Sequence, residues 1–95
     1  MRASVHRYQV MDAEALVERI QEELVDRVKA IEGFVAYYVI DGGDGTVTTM
    51  TLGETEEAVE AAAVESQDWI VERAAHLVGG APDVTSGEVR VRTER

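Results

Sequence analysis

One edge of a helix late in the chain carries the only grouping of side chains whose types and spacing could do chemistry. At 100° per residue, Trp69, Arg73 and His76 fall along one side of an amphipathic stripe, beside the small residues Ala58 and Ala62. Indole and guanidinium planes stack on a flat aromatic ligand. An imidazole exchanges a proton near neutral pH, and alanines leave room for a cleft between helix and sheet. The same residues have a plainer use. A single tryptophan in a small domain anchors a core or an interface, Arg73 can stack on it, and His76 near a helix C-terminus suits the dipole there. Both uses stay open at this level.

Two more residues join the candidate ligand set. His6 shares a strand face with Tyr8 and Val10 and is either a packed histidine or a ligand-facing one. Tyr37 and Tyr38 point to opposite sides of their strand, so only one can line a given cavity; Tyr38 is the one expected to face the helices. Ser66 has no activating base in view and reads as helix packing. Two histidines without an acid-rich spacing make no metal site. The segment Asp41–Gly45, DGGDG, lacks the ligand spacing and final glutamate of a calcium loop, while its glycines fit a tight hairpin. No metal and no cofactor are expected.

Composition removes other classes of function. Nineteen acidic residues against nine basic ones give a net charge of −10, which argues against nucleic acid and against an anionic membrane surface. Many of the acids sit at helical positions and read as solvated faces. There is no cysteine, hence no disulfide and no thiol chemistry. The opening MRASVHRYQV contains no apolar signal core, and no run approaches membrane-spanning length, so a cytoplasmic location is expected. Ninety-five residues suffice for one small domain over residues 1–95, with a single core.

The elements that must position these side chains follow from periodicity. The strongest local signal is Gly33–Leu52: two β-rich runs, Phe34–Ile40 and Thr46–Leu52, around a polar turn. Before it, Ser4–Val10 alternates as a strand and Asp12 caps a helix. That helix carries Leu16, Ile20, Leu24, Val28 and Ile31 on one side and stops at Gly33. After the hairpin, Thr55 caps a second helix with the stripe Val59, Ala62, Ala63, Ser66, Ile70, Ala74 and Leu77, ending before Gly79-Gly80. Pro82-Asp83 opens a last strand over Val84–Thr93. The order β-α-β-β-α-β predicts an α+β, ferredoxin-like sandwich: one four-stranded antiparallel sheet, first and third strands central, both helices on one face.

The second strand is apolar on both sides, with Phe34, Ala36, Tyr38 and Ile40 facing one way and Val35, Tyr37 and Val39 the other. Helices cover one side of the sheet only. A second copy packed sheet to sheet would cover the other, so a homodimer through Val35, Tyr37 and Val39 is expected.

The element order, the Gly33-Phe34 opening of strand two, the strand-turn-strand and the final strand after Pro82 resemble the dimeric α/β-barrel superfamily. Within it they are most similar to small antibiotic-biosynthesis-monooxygenase-like proteins. The resemblance implies cofactor-independent oxygenases of polycyclic phenols, haem-degrading enzymes, or domains of no known activity. It also marks three departures: Gly53 where active members carry an aromatic residue, Ala61–Ala63 where they often carry histidine, and His6 where haem-degrading members use asparagine. Two functions are therefore carried forward. One is a homodimeric domain binding a small, aromatic ligand between sheet and helices; the other is a cofactor-independent oxygenase acting on a planar aromatic substrate.

Overall fold

The computed structural model describes all residues, Met1–Arg95. Strand β1 (Arg2–Gln9) is followed by a helical rod made of α1 (Ala13–Arg19), a π-helical turn (Ile20–Leu24) and α2 (Val25–Lys29). The hairpin β2 (Phe34–Asp41) and β3 (Thr46–Gly53) comes next. A second rod follows, made of α3 (Glu56–Trp69), a π-helical turn (Ile70–Ala74) and a 3₁₀ turn (Ala75–Leu77); β4 (Asp83–Glu88) completes the chain's regular structure. The sheet order is β2-β3-β1-β4, every neighbour antiparallel, so β1 and β3 are central as the topology predicts. No helix is long and apolar enough to cross a membrane.

Both rods start where the sequence places them. Asp12 accepts a hydrogen bond from the amide of Ala15, and Thr55 accepts one from that of Ala58. In the hairpin, Asp41 accepts from the Gly43 amide, and Asp44 from both the amide and the hydroxyl of Thr46. Gly43 and Gly45 take φ of 75° and 85°, the left-handed region in which glycine is unstrained. The carboxylates of DGGDG thus serve the turn itself.

The core lies between the sheet and the rods. Leu16, Ile20, Leu24 and Val28 from the first rod meet Ala62, Trp69, Ile70, Ala74 and Leu77 from the second, over Tyr8 and Val47 of the sheet. Arg27 forms a short ion pair with Glu65, tying rod to rod.

Three expectations need correction. First, β2 carries a bulge at Val35: Phe34 pairs with Gly53 and Ala36 with Leu52, so one residue is skipped and the alternation changes phase. Phe34, Tyr37 and Val39 therefore pack toward the helices, while Tyr38 and Ile40 are exposed on the open face. The expected dimer face of Val35, Tyr37 and Val39 is, for Tyr37 and Val39, the core face. Second, the last strand stops at Glu88, not Thr93. Its ladder with β1 ends at the pair Arg2–Glu88, and one further bond, from the Val89 amide to the Met1 carbonyl at 2.9 Å, follows it. Third, the second helix leaves α-geometry at Ile70, seven residues before its expected end, and continues as a wider turn.

Candidate functional site

The wider turn decides the fate of the helix-edge trio. A π-helical turn holds more residues per turn than an α-helix, so positions after Trp69 rotate away from where a 100° wheel puts them. Trp69 is 1% exposed and sits in the core. Arg73 is half exposed and directs its guanidinium to the other rod, while His76 lies exposed in the 3₁₀ turn. The structure does not gather these three on one cleft.

Trp69 and Arg73 instead converge on Glu23. The Glu23 carboxylate accepts a hydrogen bond from the Trp69 indole N–H at 3.3 Å and from Arg73 Nε at 3.0 Å, with Arg19 Nε at 3.8 Å. Arg19 also donates to the Arg73 carbonyl at 2.8 Å. Partial burial pushes the Glu23 carboxyl up, but the bonds from Arg73 and Trp69 and the charges of Arg73 and Arg19 outweigh it and hold the pKa below the usual range. This cluster clamps the two π-helical turns together. No sequence spacing announced Glu23, because its partners lie 46 and 50 residues away.

His6 has a different environment. It projects from the helix-facing side of β1 into an open groove between α3 and the β1–β4 side of the sheet. The groove has two adjoining lobes of ≈ 480 and ≈ 470 Å³ that share Gln67, Ala81 and Pro82. His6, Ala63, Val64, Asp68 and Val84 line the first lobe; Tyr8, Ile70, Val71, Ala75 and Val78 line the second. Val64, Val71 and Val84 are 60%, 65% and 55% exposed, an apolar rim with nothing packed on it.

The imidazole of His6 stacks on the ring of Tyr8, centroids 6.4 Å apart and planes 16° from parallel. Its Nδ1 shares a hydrogen bond with the Ser4 hydroxyl at 3.3 Å, which leaves Nε2 for a ligand. Burial lowers the His6 pKa, so the ring is neutral at pH 7. The groove thus offers an aromatic floor, apolar walls, a neutral imidazole nitrogen and the amide of Gln67. No group of three or more metal-binding side chains comes together anywhere in the chain.

Tyr38 lies on the opposite side of the sheet, 54% exposed, and cannot reach this groove. The bulge at Val35 turns Tyr37 to the helix side instead, where its ring lines a small space under the rods beside Trp69 and Ser66 and not the groove. Burial, aided by the neighbouring Tyr8, pushes the Tyr37 phenol up to about 12 against the opposing effect of bonds with Thr49 and Ser66. Strand alternation puts Tyr8 on the face of His6, and the two rings do lie together. Alternation could not place Tyr37, because the bulge leaves no mark in the pattern.

The three departures from the resembled pattern also acquire a geometry. Gly53 faces the first turn of α3, where an added Cβ would meet Val59 Cγ2 at 3.0 Å and Ala58 Cβ at 3.1 Å. An aromatic residue does not fit there. Ala62 is buried in the core at 1% exposure, while Ala63 lines the groove beside His6.

No family model matches the chain, and no curated protein is significantly similar to it in sequence. Solved structures are similar in fold. A protein of unknown function from Nitrosomonas europaea superposes with a TM-score of 0.81 at 17% identity, covering 99% of this chain and 93% of that one. A monooxygenase of Streptomyces coelicolor, solved in complex with nanaomycin D, gives 0.77 at 20% identity over 99% and 91%. A cofactor-independent oxygenase from Streptomyces nogalater gives 0.75 at 14% identity over 99% and 97%. The chain therefore has the ferredoxin-like α+β fold found in antibiotic biosynthesis monooxygenase-like proteins.

Proposed function

We propose that this chain binds a small, planar aromatic molecule in the groove between α3 and the β1–β4 side of the sheet, working as a homodimer closed through the open sheet face. The observation that carries the reading is the His6–Tyr8 stack flooring an apolar-rimmed groove. A flat ring can lie against stacked aromatics while a polar substituent meets His6 Nε2 or Gln67. Neither lobe is lined by lysine or arginine, and Asp68 stands in one of them. Ligands carrying carboxylates or phosphates find no partner there. The similarity in fold to an oxygenase solved with nanaomycin D supports a small organic ligand.

The dimer surface follows from the bulge. Tyr38, Ile40, Met50, Leu52, Val5 and Ala3 form the open face, joined through the pairs Tyr38–Met50, Met50–Val5 and Leu52–Ala3. This apolar face is the one a second copy would cover, in place of Val35, Tyr37 and Val39.

Equilibrium titration with a hydroxynaphthoquinone such as juglone tests the site. Saturable binding that His6→Ala weakens roughly tenfold, the loss of one good hydrogen bond and a stacking partner, supports the groove. Unchanged affinity in His6→Ala would remove it.

A second reading, a cofactor-independent oxygenase acting on a planar phenol, rests on the neutral imidazole of His6. An unprotonated nitrogen beside an apolar floor can take a phenolic proton and so make the ring electron-rich enough to react with dioxygen. Dioxygen uptake with a polycyclic phenol, lost in His6→Gln while binding persists, supports it; uptake equal to a protein-free control contradicts it.

A further inference from the structure

The stretch after β4 has the pattern of a strand and no ladder of its own. Val89 and Val91 alternate with Arg90 and Arg92, yet after the bond from the Val89 amide to the Met1 carbonyl no backbone hydrogen bond holds it. Val91 is 85% exposed, and Arg92 meets only Glu94 and Met1. Three arginines against the single acid Glu94 make Val89–Arg95 basic, in a chain whose net charge is −10. Such a segment can pair only with a free sheet edge.

The sheet has two edges, β2 and β4, and they are unlike. β4 is six residues, DVTSGE, with an acid at each end and Gly87 inside; short, polar edges of this kind resist further pairing. β2 is eight residues, FVAYYVID, uncharged until Asp41, and its one protection is the bulge at Val35. Acids stand at both ends of it. Glu32, Glu54 and Glu57 line a cleft at its start, Glu14 and Glu18 line one with Asp41 at its finish, and no lysine or arginine lines either. An arginine-bearing strand suits an edge flanked in this way. The chain's own tail is too short to take it. β4 lies three strand spacings from β2, about 14 Å, and crossing that distance consumes about four residues of the tail before any can pair.

We infer that Val89–Arg95 of a second copy adds to the β2 edge as a fifth strand, reciprocally in the two copies, with its arginines directed to the acids that flank β2. A strand this short buries far less than the ~1,600 Å² of a standard interface. The exchange therefore fastens the sheet-to-sheet dimer proposed above, and rests on that reading.

Amide hydrogen exchange and light scattering on the full chain test the two statements apart. In the wild-type protein, the amides of Phe34–Asp41 that point away from β3 should exchange about tenfold more slowly than in Arg90→Glu/Arg92→Glu, whose charges repel the flanking acids. Both arginines are exposed, so the variant should keep its thermal midpoint, and its dimer should dissociate at about tenfold higher concentration. Equal exchange in the two proteins, with both equally dimeric, would overturn the exchanged strand and leave the sheet-to-sheet dimer standing. That holds whether the amides are fast in both, an open edge, or slow in both, as when one β2 pairs with another. A wild-type monomer would overturn both statements. Should the double variant fold poorly, Arg90→Gln/Arg92→Gln carries the same comparison with a smaller change.

Discussion

Trp69 and His6 show how burial assigns roles to residues that look alike as candidates. Trp69 is closed into the core, and its indole nitrogen is taken up by Glu23. Truncation to alanine should therefore cost about 3–5 kcal/mol through the cavity left behind, measurable by denaturant unfolding. A cost under about 1 kcal/mol would mean the ring is not the anchor its burial suggests. His6 is held below its free pKa of 6.5 by burial. Between the lowered native pKa and 6.5, the unfolded chain binds more protons than the native one, so stability falls as pH drops through that window. Replacing His6 with asparagine should flatten this part of the stability curve. An identical pH profile in the variant would mean that His6 is solvated and not packed on Tyr8. Tyr37 works in the opposite direction. With its pKa raised to about 12, stability should fall as pH rises above 10, and Tyr37→Phe should remove that loss.

Elements were legible where one local rule sufficed. The caps Asp12 and Thr55, the first-rod stripe of Leu16 to Val28 and the glycine turn of the hairpin all lie where residue type and period put them. Three features were not legible: the bulge at Val35, the π-helical turn at Ile70–Ala74 and the early end of β4. Each depends on what the element packs or pairs with, and short-range periodicity carries no record of a partner far along the chain. The consequences reach the site directly. The bulge exchanges Tyr38 for Tyr37 under the helices, and the helix end leaves His76 apart from Trp69 and Arg73, which meet at Glu23. At this scale Gly53 gives a sharp prediction. Any side chain there must displace Ala58 and Val59, so Gly53→Trp should lower the thermal midpoint by many degrees. A midpoint kept within two or three degrees, roughly what about 0.5 kcal/mol moves in a domain this small, would show that the start of α3 yields easily.

For the whole molecule, the proposed homodimer is tested at the open sheet face. Ile40 is 50% exposed and lies on that face, whereas Val39 packs against the core. Ile40→Glu should turn a dimer into a folded monomer by light scattering, because a second copy would have to bury the charge unpaired. Val39→Glu should instead lower stability in any state of association. A wild-type monomer at high micromolar concentration would refute the sheet-to-sheet dimer. The groove lies on the other side of the sheet from this face, so breaking the dimer with Ile40→Glu should leave ligand affinity within about twofold if the site belongs to one chain.

The proposed function requires that a planar ligand occupy the groove floored by His6 and Tyr8. Nuclear Overhauser contacts from the ring protons of bound juglone test it most directly. Contacts to the His6 imidazole and to the Val64 and Val84 methyls are the predicted result. Contacts confined to Tyr38, Ile40 and Met50 would place the ligand on the open sheet face and contradict it.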